Sequence, residues 1–262
     1  MSAERIVGAP EFYDRLADDY DGQFAAPHRR AYDELAWEAV LEVLPDTATV
    51  IDVGCGVGRW AERFVAAGHD VIGFDPSPLM VERARARDLG PRFRVEHGGV
   101  DDLDLAGTDA DLVVAMGSIQ YADDPVAAIA RMATWVRPGG VLAVLCDSLV
   151  ALVMELLAEN RLEEALDRAA TGEAEYRLDG LVVRHRLLDA ATLRAAFIAA
   201  SLVDVDVRGL LVSWTAVGRT AMVHQLSRDH DGQLDVERSL AAQSRLADAG
   251  KQLLALGRRP EG

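Results

Sequence analysis

VIDVGCGVGRW, at residues 50–60, is an apolar strand that runs into Gly54-x-Gly56-x-Gly58 and on into a helix. Glycines let the backbone turn sharply and let a ligand approach with no Cβ in the way. The helix start beyond them offers free N–H groups and the positive end of a dipole. Asp75 closes the next strand, seventeen positions after Gly58. An acid at that point can accept from both hydroxyls of a ribose. The spacing is G-x-G-x-G rather than G-x-G-x-x-G, because Arg59 follows Gly58 directly. That counts against a pyrophosphate-binding dinucleotide fold and favours a ligand with adenosine but no phosphate. A glycine turn that serves only strand–helix packing is the competing reading, and it leaves the flanking Asp52 and Asp75 unexplained.

Outward from this loop, apolar runs alternate with amphipathic ones. Strands are predicted near residues 49–53, 70–74, 93–97, 110–116 and 141–146, with helices near 59–67, 78–88 and 125–136. Such alternation implies a mostly parallel, doubly wound α/β sheet. Ser77-Pro78 and Asp124-Pro125 are N-cap and first-turn signals, and Pro138-Gly139-Gly140 reads as the stop of the third helix. Two helices are expected before the glycine loop, at 11–19 and 31–44. After Cys146 the alternation breaks. A long helical stretch at 149–170 is followed by a loop and short strand at 176–188. Asp189 then caps a helix to about residue 200, a strand covers 203–212, helices fill 215–248, and a final strand covers 251–258.

Bulk properties narrow the classes. The 262 residues carry a formal net charge of −16 and a single lysine, Lys251. Such a surface repels phosphate backbones, which disfavours nucleic acid and favours a small substrate. No run of 18 apolar residues marks a membrane span, and the N-terminus lacks an apolar leader core, so a cytoplasmic location is expected. Cys55 and Cys146 are too isolated for a disulfide scaffold, and no His/Cys/Asp grouping has metal-ligand spacing, so no metal is expected.

DVGCGVG at 52–58, FDPSPLMVERAR at 74–85 and WVRPGGVLAV at 135–144 together resemble the class I S-adenosylmethionine-dependent methyltransferases. The resemblance spans residues 10–146. It implies a Rossmann-like sheet of seven strands with the last one antiparallel, and S-adenosyl-L-methionine as cofactor. Helical insertions after strands five and six resemble the branch that contains a bacterial tRNA uridine carboxyl-methylating enzyme. The expected layout is one domain over 1–262: a helical lid at 10–45, a cofactor core at 46–147, a substrate-covering insertion at 148–188, and C-terminal strands and helices at 189–262.

By the same resemblance, Gly54, Cys55 and Gly56 touch the methionine and ribose portions, and Asp52 belongs to the cofactor site. Asp75 holds the ribose, with Pro76 beside the adenine, and Met116 meets the methionine portion. FYDRLADDYD at 12–21 resembles the family's lid, where Tyr13 or Tyr20 closes over the cofactor. Arg30 is the expected partner of the cofactor carboxylate. Members often carry an Asp after the third strand, facing the adenine amino group; here Gly99 stands at that place. Backbone groups of Gly99 and Val100, with Asp101 as acceptor, are then the expected adenine contacts.

Catalytic candidates are fewer. Tyr121, in MGSIQYADDP, either faces the substrate with Ser118 and Gln120 or packs beneath the lid. Tyr20 is a candidate through the lid. His185 is a base in the pocket cover or a solvated strand residue between two arginines. Tyr176 and Trp214 are candidates for an apolar substrate wall or ordinary core. His69 and His230 read as surface positions, and His28 lies between lid and first helix. The leading expectation is methyl transfer to an O, N or C atom of a small molecule. A tRNA-modifying enzyme and a non-catalytic S-adenosylmethionine-binding protein are the alternatives, with a monomer or a homodimer equally allowed.

Overall fold

The computed structural model describes residues 4–105 and 107–261. From the N-terminus the elements are β1 (Arg5–Val7), α1 (Ala9–Leu16), α2 (Pro27–Leu41), β2 (Thr49–Val53), α3 (Arg59–Ala66), β3 (Asp70–Asp75), α4 (Pro78–Ala86), β4 (Phe93–His97), β5 (Ala110–Met116), α5 (Pro125–Ala133) and β6 (Val136–Asp147). They continue as α6 (Leu149–Ala158), α7 (Leu162–Thr171), β7 (Glu173–Leu178), β8 (Leu181–Arg186), α8 (Ala190–Ala199), β9 (Val203–Leu210), α9 (Trp214–Arg228), α10 (His230–Ala241) and β10 (Gln252–Arg258).

The main sheet has seven strands in the order β4-β3-β2-β5-β6-β10-β9. β10 runs antiparallel to both of its neighbours, as expected. Its other pairs, β2 with β3 and β5, β3 with β4, and β5 with β6, are parallel. Chain order reverses between β2 and β5, so a crevice opens at the carboxyl ends of these strands.

Both faces of the sheet are covered, so the central strands are apolar at consecutive positions and alternate in which core they feed. Ile51, Val113, Ala115, Leu142 and Val144 point to α5 and α8. Val50, Leu112, Val114, Ala143 and Leu145 point to α2, α3, α9 and α10. Removing the fully buried Trp135 or Phe64 side chain would cost about 3–5 kcal/mol. Helix starts are set by side-chain caps: Ser77 Oγ accepts from Met80 N at 3.1 Å, Asp124 from Val126 N at 2.9 Å and Asp189 from Thr192 N at 2.6 Å. Each contributes about 1 kcal/mol.

Several expected boundaries move. α5 ends at Ala133, and Pro138-Gly139-Gly140 lies inside the twelve-residue β6. A Cβ on Gly140 would sit 2.8 Å from the Asp111 carbonyl oxygen, so the glycine permits a close strand crossing there instead of a helix stop. The helical stretch at 149–170 is two helices, broken where Asn160 takes a φ of 58°. The loop and short strand at 176–188 are instead the hairpin β7–β8, turned by Asp179 and Gly180 at φ of 49° and 79°. β1 adds to that hairpin, parallel to β8, and makes a separate three-stranded sheet that ties the N-terminal segment to the insertion. α9 is kinked at Gly218, whose φ of 76° and ψ of 166° lie outside the helix. His69 is buried rather than exposed, and His230 pairs with Glu34 at 2.9 Å.

Candidate functional site

The carboxyl ends of β2 to β6 deliver Gly54, Asp75, His97, Met116 and Asp147 to one rim of the sheet. Gly54, Gly56 and Gly58 all take positive φ, 71°, 55° and 83°. At Gly54 the need is also steric: a Cβ would lie 2.2 Å from the Ser118 Cβ. Ser118 itself is a brace, since its hydroxyl donates to the Val53 carbonyl at 2.5 Å. Asp75 fixes the shape of the loop. One of its oxygens accepts from Gly56 N and the other from Ser77 N, both at 2.8 Å. A carboxylate offers about four lone-pair sites, so each oxygen keeps capacity for a ligand hydroxyl. Burial pushes the Asp75 carboxyl up to about 6, against these two N–H donors.

Two cavities meet here. The outer one, about 440 Å³, is lined by Gly56, Asp75, Pro76, Gly99, Val100 and Asp101, among others. The inner one, about 340 Å³, is lined by Asp52, Cys55, His28, Arg29, Asp147 and Lys251, among others. Tyr13, Tyr20, Gly54, Met116, Gly117 and Tyr121 line both and form their common border.

The N-terminal segment roofs that border. Asp14 accepts from the Ser77 hydroxyl at 2.6 Å and from Leu79 N at 3.1 Å. Asp18 pairs with Arg83, and Asp21 with Arg87. The Tyr13 hydroxyl donates to the Tyr121 hydroxyl at 2.7 Å, and Tyr20 packs edge-on against Tyr13. Tyr20 also lies over the loop, 3.7 Å from where a Gly56 Cβ would be. Burial pushes the Tyr20 phenol up to about 12 and holds Tyr13 and Tyr121 well above the ordinary range. These tyrosines act as neutral hydrogen-bonding groups at physiological pH, not as phenolate bases.

The inner cavity has its own polar architecture. Asp147 accepts from Tyr176 Oη at 2.6 Å, Gln120 Nε2 at 3.1 Å and Gln252 Nε2 at 3.3 Å. Burial opposes its ionisation, but Lys251, His185 and these donors together hold its pKa below the usual carboxylate value. The His185 ring stacks on Tyr176 at 4.5 Å and 13°, with Nε2 3.8 Å from Asp147. His185 is buried, which overturns the solvated-strand reading, and burial lowers its pKa, so the ring is neutral. Asp52 Oδ2 is buried without a partner among the described residues. Burial, with Asp75 nearby, pushes the Asp52 carboxyl up to about 7.

Of the cofactor-site, catalytic and substrate-wall candidates, all but Arg30, His185 and Trp214 line one or both cavities. Arg30 is exposed and lines neither; its neighbour Arg29 lines the inner one. His185 sits behind Tyr176 and Tyr121. Asp147 is the principal residue that sequence reasoning missed. An acid directly after the apolar run of the fifth core strand was the available signal, because open sheets place ligands at strand carboxyl ends.

The donor set suits an amino-acid–nucleoside ligand. Asp75 offers acceptors for vicinal hydroxyls, the unpartnered Asp52 oxygen suits an ammonium, and Arg29 suits a carboxylate. Residues 50–140 match the family model described as a methyltransferase domain. A malonyl-[acyl-carrier protein] O-methyltransferase of Enterobacter lignolyticus is 31% identical over 176 residues, 61% of this chain and 69% of that protein. Human methyltransferase-like protein 27 is 32% identical over 161 residues, 60% of this chain and 64% of its own length. Among solved structures, a SAM-dependent methyltransferase from Thermotoga maritima aligns with a TM-score of 0.61 at 19% identity, over 95% of this chain and 99% of its own. The chain thus belongs to the class I S-adenosylmethionine-dependent methyltransferases, whose cofactor is S-adenosyl-L-methionine. It spans 38% to 64% of the length of several curated relatives. Among the described residues no helix is long and apolar enough to cross a membrane, and no group of side chains could hold a metal ion.

Proposed function

We propose that this chain transfers a methyl group from S-adenosylmethionine to an O, N or C atom of a small molecule seated in the inner cavity. The observation that carries this reading is the shared border of the two cavities. A cofactor with its adenosyl part in the outer cleft and its amino-acid end reaching Asp52 and Arg29, and an acceptor in the rest of the inner cavity, would meet at Tyr13, Met116, Gly117 and Tyr121. At about 340 Å³ the inner cavity suits a small molecule.

When bound, S-adenosylmethionine supplies a methyl group already activated by its sulfonium, so a neutral thioether leaves. The protein then has to position, exclude water and handle a proton. Asp75 would hold the ribose hydroxyls, Gly99, Val100 and Asp101 the adenine edge, Asp52 the ammonium and Arg29 the carboxylate. Tyr13 and Tyr20 close the border from the N-terminal segment. Tyr121 orients the acceptor through its hydroxyl. Asp147 accepts a hydrogen bond from a hydroxyl or amine of the acceptor and so orients it.

The test uses S-adenosylmethionine labelled in the methyl group and a panel of small metabolites, with both label transfer and S-adenosylhomocysteine release measured. Stoichiometric appearance of the two supports the proposal. Tight cofactor binding with neither signal across the panel favours the non-catalytic alternative.

A further inference from the structure

His28 and Lys251, which line the inner cavity, both pack near the Trp214 ring, so α2, α9 and the start of β10 meet at this corner. His28 Nδ1 on α2, Trp214 Nε1 on α9 and Gln252 Oε1 on β10 have no partner among the described residues. All three side chains are at least nine-tenths buried, and His28 and Gln252 line the cavity. The His28 and Trp214 rings lie 5.2 Å apart, and Lys251 Nζ sits 5.7 Å from the Trp214 ring. Leaving buried donors and acceptors unpaired costs about 1–3 kcal/mol each.

The charges around this corner identify the ligand's sign. Of the five cations that line the cavity, Arg59 is paired with Asp33, and Arg177 with Glu4 and Glu175. Lys251, the only lysine of the chain, is 3.6 Å from Glu155. Arg29 meets the neutral Gln23, and Arg219, directly after the kink at Gly218, makes no ion pair among the described residues. Facing them are Asp147, already engaged by three neutral donors, and the unpartnered Asp52. His28 reports the local field: burial first, then Arg219, Arg29 and Lys251, lower its pKa to about 4. The ring is therefore neutral, and one of its nitrogens can donate. In a chain of net charge −16, the charged groups that bear on His28 are all cations.

We propose that the acceptor is an anionic small molecule whose carboxylate or phosphate group is held by Arg219, Lys251 and His28, all of which line the inner cavity. The assignment rests on the methyl-transfer reading for its chemistry, while its electrostatics stand on the cavity alone. Charge-assisted contacts at the His28 end orient the molecule, and its hydroxyl or amine points toward Asp147 and Tyr121.

Calorimetry on protein saturated with S-adenosylhomocysteine tests this, with glutarate and inorganic phosphate as anionic probes and putrescine as a cation of similar size. The expected result is binding of at least one anion and none of putrescine. Glutarate alone assigns a carboxylate, and phosphate alone a phosphate ester. Arg219→Gln and Lys251→Gln should each weaken the anion by about tenfold or more, and Lys251→Arg should restore it to within roughly threefold. S-adenosylhomocysteine affinity should not change in any of the three. Binding of putrescine, binding of neither anion, or anion affinity indifferent to both glutamine variants overturns the proposal. Failure of S-adenosylhomocysteine to bind the wild type would instead remove the methyl-transfer reading.

Discussion

The hydroxyls of Tyr13 and Tyr121 are 2.7 Å apart although 108 residues separate them in sequence. Tyr13 lies on α1 and Tyr121 in the turn after β5, so one hydrogen bond joins the N-terminal roof to the sheet rim. The bond spans the border that both cavities share.

Tyr13→Phe removes the donor and keeps the ring edge-on to Tyr121 at 5.2 Å. Fold stability should change by only about 1 kcal/mol. Cofactor retention should suffer more, because in the proposed reading the roof would close over that ligand. Stopped-flow release of S-adenosylhomocysteine should be several-fold faster, and an unchanged off-rate would show that the latch has no part in closure.

Gly54→Ala puts a side chain where φ is 71° and where its Cβ would meet the Ser118 Cβ at 2.2 Å. Left-handed strain and overpacking together should cost about 3 kcal/mol or more. Thermal unfolding should show a Tm lower by about 6 °C or more, with cofactor binding lost. Gly68→Ala, where a Cβ meets nothing within 4 Å, serves as the comparison; it should show strain at φ 96° without loss of binding.

Asp52 and Asp75 hold their protons more tightly in the folded chain, with pKa values near 7 and 6 against an ordinary 3.8. Between pH 4 and 7 the native state therefore binds more protons than the unfolded one. The stability these groups contribute is full below about pH 4 and is lost as pH rises through 7. Binding of an ammonium at Asp52 needs the ionised form and runs the opposite way. Calorimetry from pH 5.5 to 8 should show S-adenosylhomocysteine affinity rising through about pH 7. Asp52→Asn should flatten that rise and should also reduce the fall in ligand-free Tm over the same window.

Asp147→Asn keeps the shape but removes the charge that Tyr176, Gln120 and Gln252 surround. Acceptor kcat/KM should fall by about tenfold or more, with S-adenosylhomocysteine affinity unchanged. Equal losses in both would place Asp147 in cofactor binding instead.

What the sequence disclosed follows from how local each signal is. The glycine loop, Asp75 and the capped helices are contiguous patterns, and each lies where it was expected. The seven-stranded sheet with its last strand reversed was implied by the motif set rather than by periodicity, since buried parallel strands are apolar throughout. The hairpin β7–β8 was legible in Asp179-Gly180, a pair suited to a tight turn, but its neighbours RLDGLVVRH were taken for a loop and one strand. β1 is three residues long and exists only through pairing with β8, so no local pattern encodes it. Arg29 and Arg30 cannot be separated by type; only the phase of α2 turns the first inward. His185 looked solvated because arginines flank it, yet a strand alternates faces and buries every second residue. Asp147 and the His28–Trp214–Lys251 corner draw on residues far apart in sequence, and only the fold brings them together.

Isothermal titration of S-adenosylhomocysteine into wild type, Asp75→Ala and Asp75→Asn addresses the central claim most directly. Binding to wild type, weakened by at least about tenfold in both variants while each stays folded by circular dichroism, is the predicted result. Wild-type affinity retained in both folded variants would contradict the assignment of this cleft to the adenosyl group.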